Sequence, residues 1–471
     1  MAILALDQGT SGSKALVVDD EGIHAVAEIP LHPHYLPGGG VEQDPHELLD
    51  SLFNAGKEAV VKAGKKIDGV ALANQGETIL AWDPTTGEPL TTCIVWQDRR
   101  AESVVERLRE HSDFIHERTA LVLDSYFTAP KMTWLRENLT CEGVVTTTDT
   151  WIAYKLTGEF VTDTSTASRS LLLDIDSVTW NKELLNIFNL ENEELPRIVA
   201  SDEIIGMTKE FGDEIPVGGL IVDQQAALFA ESCLNRGEGK CTYGTGAFIL
   251  MNVGEKAPRF SNGLTTSVAW TLRGRTQYCA DGQVYTAASA VRWMRDMDII
   301  PAPEAMDKLA APSSGGVICG PSFAGLAAPW WRPEAGAFLT GMKLATNKPQ
   351  IIRSILEGIA AQIAHLSRMM CEEMKISRER LRVDGGLTKC HTLMQIQSDL
   401  LQVRVETYPS AHATALGAAA AMRLALNSEL SVEEGPFPWH AAACYEPAIS
   451  DDEAQKFLER WLAAVEANME F

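Results

Sequence analysis

The apolar residues of this chain fall into two patterns, one of period two and one of helical period, and they alternate along its length. Leu4-Ala5-Leu6, Ala15-Leu16-Val17-Val18 and Ala25-Val26-Ala27 are short apolar blocks separated by turn clusters. They predict an antiparallel three-strand meander over residues 1 to about 30. Asp44-Pro45 then opens a helix, with Asp44 as its N-cap and proline in the first turn, where a missing N–H costs nothing. Gly69-Val70-Ala71-Leu72-Ala73 reads as a further strand, after which strands and helices mix up to about residue 220. A hairpin at 242–250 begins a second half in which the order of three strands followed by helices partly recurs. Its longest helix is predicted from about Pro349 to Met374, with Ile352, Ile355, Leu356, Ile359, Ile363 and Leu366 on one face. Another apolar-periodic helix runs from about Leu393 to Leu401.

Two of the predicted turns share an unusual composition. Asp7-Gln8-Gly9-Thr10-Ser11-Gly12-Ser13-Lys14 joins two strands through Gly, Thr and Ser, and Tyr243-Gly244-Thr245-Gly246 joins two through Gly and Thr. Small residues let the backbone approach a bound group and leave N–H donors free, which suits phosphate oxygens. Either turn alone is an ordinary hairpin connection. Together they accompany Val383-Asp384-Gly385-Gly386 and a small-residue helix at Thr414-Ala415-Leu416-Gly417-Ala418-Ala419-Ala420. Four such elements in this order resemble the nucleotide-binding pattern of the actin, heat-shock ATPase and sugar kinase superfamily. The resemblance implies an α/β protein of two actin-like (ribonuclease H-like) lobes with a nucleotide cleft between them. The expected halves are 1–230 and 231–471, joined near Asp223 to Gly237, with closure of the cleft by hinge motion. No G-x-x-x-x-G-K-[ST] segment is present, so a Walker-type site is not expected.

Composition narrows the partners. The chain has 471 residues, 45% of them hydrophobic, enough for two or three sizeable cores. No stretch approaches the roughly 20 apolar residues of a membrane span. A basic leader with a cleavage site is likewise not seen at the N-terminus. The net charge of −24 argues against nucleic acid or an anionic membrane as partner. Nine cysteines without C-x-x-C pairing point away from zinc and disulfides and toward a reducing, cytoplasmic setting. His32 and His34, in a proline-rich stretch, read as loop residues.

Two long gapped segments identify a family. Tyr126-Phe127-Thr128-Ala129-Pro130-Lys131-Met132-Thr133-Trp134-Leu135-Arg136-Glu137-Asn138 is one. The other starts at Ala337-Phe338-Leu339-Thr340-Gly341-Met342 and finishes at Gln350-Ile351-Ile352-Arg353-Ser354-Ile355-Leu356-Glu357. Over nearly its whole length the sequence resembles the FGGY carbohydrate kinases, glycerol kinases above all. Glycerol-kinase-like segments include Asn74-Gln75-Gly76-Glu77-Thr78, Ile94-Val95-Trp96-Gln97-Asp98-Arg99-Arg100 and Asp223-Gln224-Gln225-Ala226-Ala227-Leu228-Phe229.

The resemblance implies ATP-dependent phosphorylation of a small polyol or sugar, with ATP and Mg²⁺ as cofactors. Such a transfer needs the phosphoryl group held, its charge neutralised and the hydroxyl aligned. Asp223 matches the family's catalytic base; from spacing alone it reads as an N-cap. Asp7 matches the carboxylate near Mg²⁺. Thr10, Ser11 and Lys14 match the first phosphate turn, with lysine where glycerol kinases usually carry arginine. Gly244, Thr245 and Gly246 match the second turn, and Gly385 and Gly386 the turn under adenosine. Ala288 and Arg292 fall where the family contacts the nucleotide, although glycerol kinases carry Gly and Gln there. Glu77, Tyr126, Asp223 and Gln224 match the hydroxyl-binding set, and Trp96 and Phe248 its apolar walls. From composition alone, the three aromatics read as core. Dimers are common in the family, so a homodimer is the expected assembly.

One position departs from the glycerol kinase pattern. Those enzymes carry arginine immediately before the acceptor-binding glutamate, and this chain has Gly76. A guanidinium donates two parallel bonds to neighbouring oxygens, whereas glycine donates none from a side chain. The expected acceptor is therefore a larger polyol or sugar that fills the gap. A ketose kinase of the xylulose or ribulose type is one alternative. A non-catalytic ATP-binding sugar sensor is another.

Overall fold

The computed structural model describes residues 1–469. The meander forms as expected, with β1 (Ile3–Gly9), β2 (Gly12–Asp19) and β3 (Gly22–Pro30) pairing antiparallel in sequence. Helix α1 (Pro45–Ala63) follows; the Asp44 carboxylate accepts from the His46 and Glu47 amides, and the helix ends on a left-handed Gly64. Strand 69–74 and then strand 215–222 add parallel to β1, and the hairpin partner 206–208 closes the edge.

The second half repeats this plan. Strands 239–243 and 247–254 form the predicted hairpin; strand 275–284 pairs with the second of them, and 265–272 lies outside it. The long helix Lys348–Met374 plays the part of α1. After it, strands 380–384 and 404–407 add parallel to the first hairpin strand, with 443–445 at the edge. The two halves therefore share one plan: an antiparallel hairpin with a third strand beside it, a crossover helix, then two parallel strands, with strand 265–272 inserted in the second half before the third strand.

Both faces of the first sheet are covered, so its strands do not show the half-buried alternation of an exposed sheet. Leu4, Leu6, Ala15, Val17, Val70 and Leu72 point toward α1 and Leu48, Leu52 and Ala55. Ile3, Ala5, Leu16, Val18, Ala71 and Ala73 point the other way, onto helices Asp223–Ala230 and Ala413–Leu426. Each fully buried Leu, Ile or Val among them contributes about 1.5–3 kcal/mol. This second core also takes in Leu250, Ala269, Trp270 and Cys279 from the second half, so it joins the lobes.

A third element was not read from the sequence. Segments 34–36, 40–43, 93–94, 79–82 and 144–147 form a five-stranded antiparallel sheet set into the first half. Its core holds Ile79, Ile94, Leu121, Phe127 and Leu135. His34 lies on an exposed edge strand, His34–Leu36, rather than in a loop. The same strand brings Tyr35 to the cleft.

Candidate active site

The two glycine turns face each other across the cleft. In the first, Asp7 pairs with Lys14 across the β1–β2 ladder, with Thr10 and Ser11 at its tip. In the second, Tyr243 pairs with Ala247 around Gly244, Thr245 and Gly246. Gly246 is required: a Cβ there would stand 2.4 Å from the Val284 carbonyl oxygen. Gly385, at φ +93°, packs on the same hairpin, and a Cβ on it would lie 2.4 Å from the Tyr243 carbonyl oxygen. Helix Ala288–Asp296 starts against this turn, with the Ala288 amide donating to the Gly244 carbonyl at 3.0 Å and the Ser289 amide to that of Thr245 at 3.1 Å.

Between the turns lies a cavity of about 210 Å³. Thr10, Ser11, Gly76, Glu77, Trp96, Tyr126, Asp223, Gln224, Thr245, Gly246, Phe248 and Arg292 line it, joined by Pro33, Tyr35, Gln75 and Gln97. The structure thus brings together residues far apart in the chain and drawn from both halves. Asp7, Lys14, Gly244, Ala288, Gly385 and Gly386 do not line this cavity. Gly244, Ala288 and Gly385 are built into or against the second turn, and Asp7 and Lys14 stand on the strands that carry the first.

Aromatic rings form one side. Trp96 meets Tyr126 edge-on at 5.6 Å between centroids and Phe248 edge-on at 6.2 Å. The Trp96 indole donates to Thr10 Oγ1 at 2.9 Å, and that hydroxyl donates to Gln75 Oε1 at 2.8 Å. Tyr126 is held from below by Lys131, a fully buried ammonium that donates to the carbonyls of Ser125, Tyr126 and Phe127. Burial pulls the Lys131 pKa down to about 7, against the Glu77, Asp98 and Asp124 carboxylates.

Glu77 and Asp223 bring carboxylates to the cavity. Glu77 has φ +57°, and the Thr78 amide donates across it to the Gly76 carbonyl at 2.8 Å. This is a γ-turn of the strained, positive-φ kind, and such strain collects where a side chain must be aimed. Burial raises the Glu77 carboxyl above its usual range, against the pull of Arg169. Asp223 is the first residue of helix Asp223–Ala230, and Val222 is the N-cap. The capping role that spacing favours is therefore not realised. The Asp223 carboxylate instead accepts from the Gln224 amide at 2.7 Å and from Gln224 Nε2 at 3.3 Å. Burial raises its pKa, with Lys240, Gln224 and Arg169 pulling it back. Asp7 is raised to about 7, first by burial and then by Asp223 and Glu28, with Lys14 opposing.

Two buried cations went unnoticed in the sequence. Lys240 donates to Gln224 Oε1 at 2.7 Å and to Thr242 Oγ1 at 2.6 Å. Arg169 binds Glu77 directly and reaches into the second half. Neither stands in a recognisable pattern. Lys240 lies two residues from Thr242 and Arg169 in a run of small polar residues, Ser165-Thr166-Ala167-Ser168.

Known proteins share this fold. The model for the N-terminal domain of the FGGY family of carbohydrate kinases matches residues 2–230, and that for the C-terminal domain matches residues 239–426. The chain belongs to the FGGY family of carbohydrate kinases. It is an ATP-dependent phosphotransferase of that family with the family's two-lobed α/β fold. Glycerol kinase 2 of Thermotoga maritima is 38% identical, over 99% of this chain and 98% of the relative. The crystal structure of Plasmodium falciparum glycerol kinase with ADP superposes with a TM-score of 0.91 at 31% identity, over 99% of this chain and 98% of that one. A ligand-bound xylulose kinase from Lactobacillus acidophilus has the same fold, with a TM-score of 0.90 at 21% identity over 99% and 98% of the two chains. Among the described residues of this kinase, no helix is long and apolar enough to cross a membrane.

Proposed function

We propose that this kinase transfers the γ-phosphoryl group of ATP to a hydroxyl of a polyol or sugar larger than glycerol, with Asp223 as general base. The observation that carries this is the single cavity in which both glycine turns, the Glu77 and Asp223 carboxylates and the Trp96, Tyr126 and Phe248 rings converge. Phosphoryl transfer asks mainly for positioning and charge balance, and the cavity offers both. The aromatic rings face the carbon skeleton. Glu77, Tyr126 and Gln224 take its hydroxyls. Asp223 accepts the proton of the attacking hydroxyl, and burial raises its pKa, the direction that makes it a stronger base. Backbone N–H groups of the two turns, with Thr10, Ser11 and Lys14, take the phosphates; Ala288, Arg292, Gly385 and Gly386 take the rest of the nucleotide.

Asp7 and Asp223 are two buried carboxylates close enough to raise Asp7. Beside a triphosphate they leave an excess of negative charge, and their all-oxygen donor set fits Mg²⁺. Asp7 would hold Mg²⁺, which would neutralise charge on the phosphates.

The acceptor follows from Gly76. Gly76 lines the cavity without a side chain; a Cβ there would press on Val222 Cγ2 at 3.0 Å and meet nothing else within 4 Å. A four- or five-carbon polyol or ketose has the added carbon and hydroxyl to occupy that part of the cavity. The test is ADP release with Mg-ATP across glycerol, erythritol, threitol, ribitol, xylitol, arabinitol, xylulose and ribulose. Acceptor-dependent release separates a kinase from a sensor that binds without turnover.

A further inference from the structure

Arg169 follows the short helix Thr164–Ala167 and is only 5% exposed at its side chain. Its guanidinium is a three-way junction. Nε donates to Glu77 Oε1, and Nη1 donates to Asp281 Oδ2 at 2.5 Å and to Ser267 Oγ at 2.9 Å. The guanidinium carbon lies 5.6 Å from the Tyr126 ring centre and 5.3 Å from that of Phe127. Glu77 and Tyr126 belong to the first half of the chain. Ser267 and Asp281 lie on neighbouring strands of the second.

The Asp281 strand also serves the site. Its Gln283 pairs with Phe248 in the ladder, and its Val284 carbonyl closes on Gly246 of the second phosphate turn. Gln283 Nε2 donates to the same Asp281 oxygen at 2.8 Å. One guanidinium therefore connects the strained Glu77 turn to the strand behind the nucleotide-side turn. A planar fork that binds two carboxylates fixes direction as well as charge, which an ammonium does not.

We propose that Arg169 is a positioning residue for acceptor recognition. From within the first half, held by Asp281 across the lobe boundary, it supplies the fixed positive charge that position 76 lacks, and it sets the Glu77 carboxylate for the acceptor hydroxyl. Asp281 is its anchor, so acceptor binding is tied to the alignment of the two halves through this contact. This assignment rests on Glu77 holding an acceptor hydroxyl, as proposed above.

The test is a double-mutant cycle on Arg169→Gln and Glu77→Gln, with Arg169→Lys and Asp281→Asn beside it. KM and kcat are measured separately for ATP and for an acceptor. The acceptor is whichever of glycerol, threitol, ribitol, xylitol and xylulose the wild-type enzyme turns over fastest. Arg169→Gln is expected to raise the acceptor KM about tenfold or more with the ATP KM within about twofold, the scale for losing a charged hydrogen bond. In the Glu77→Gln background the same change is expected to have no further effect, since residues acting through one another are not additive. Asp281→Asn is expected to raise the acceptor KM about threefold or more, and Arg169→Lys to recover only part of the loss.

Equal effects of Arg169→Gln in both backgrounds, or ATP and acceptor KM rising together, overturn the proposal. If Arg169→Gln does not fold, Asp281→Asn and Arg169→Lys decide by the same split between the two KM values. An unchanged acceptor KM in Glu77→Gln overturns the acceptor role of Glu77 itself. Absence of ADP release with every acceptor in wild type overturns the acceptor assignment as a whole.

Discussion

Trp96 and Thr10 are joined by a 2.9 Å hydrogen bond from the indole Nε1 to the threonine hydroxyl. One residue walls the acceptor cavity and the other sits at the tip of the first phosphate turn. Thr10 Oγ1 also donates to Gln75, whose amide Nε2 donates to Gln43 Oε1 at 2.8 Å, and Gln43 Nε2 returns to the Thr10 carbonyl at 2.8 Å. This closed loop of bonds makes the phosphate turn and the acceptor wall one rigid unit. Thr10→Val keeps the shape and removes the hydroxyl, leaving buried partners unpaired at a cost of about 1–3 kcal/mol. The KM for acceptor and for ATP are both expected to rise about fivefold or more, and Thr10→Ser to restore both. Initial-rate kinetics on the three proteins check this.

Asp223→Asn is expected to lower kcat by about a hundredfold to ten-thousandfold, the range for loss of a general base. The Gln224 amide still finds an oxygen on asparagine, so folding and ATP affinity are expected to persist. Calorimetric titration with ATP beside an ADP-release assay distinguishes a lost base from a lost fold.

Asp7 sets a pH dependence on the stability of the metal-free protein. Its folded-state pKa of about 7 lies above the unfolded value of 3.8. The stability tied to its protonated form is fully present below 3.8 and is lost as pH rises through about 7. Relative to Asp7→Asn, the wild type is expected to lose thermal stability between about pH 4 and pH 8, by several degrees. Mg-ATP is expected to reverse the order above pH 7, since only the carboxylate holds the ion. Thermal unfolding scans across pH, with and without Mg-ATP, give both comparisons.

Gly417 packs on Ala226 where helices 413–426 and 223–230 cross between the lobes. A Cβ on Gly417 would stand 1.9 Å from the Ala226 carbonyl oxygen and 2.4 Å from its carbon. Neither atom belongs to a flexible side chain, so Gly417→Ala must push the helices apart. A destabilisation of about 3 kcal/mol or loss of soluble protein is expected, in the range of overpacked cores. Urea unfolding measures it, with Ala418→Gly as a control for helix propensity at the neighbouring position.

What the sequence disclosed and what it hid have physical reasons. The meander, α1 and the long helix were legible because apolar spacing and the Asp44-Pro45 start are local signals. The glycine turns were legible because Gly246 and Gly385 stand where only glycine fits. The five-stranded sheet was not, since its strands are only two to four residues long and far apart in the chain. Arg169 and Lys240 were hidden for another reason. Glu77 and Asp281 lie 92 and 112 positions from Arg169 and Gln224 lies 16 from Lys240, so no neighbouring charge marks them as buried cations. The exact seat of Asp223, inside the helix rather than capping it, turns on one residue of register that spacing does not resolve.

Acceptor choice at Gly76 is tested most directly by kcat/KM for glycerol and for the best five-carbon acceptor, in wild type and in Gly76→Arg. Wild type is expected to favour the longer acceptor by about tenfold or more, and Gly76→Arg to shift the ratio toward glycerol. Efficient wild-type turnover of glycerol, with the longer acceptors left behind and the ratio unmoved by Gly76→Arg, would contradict the account.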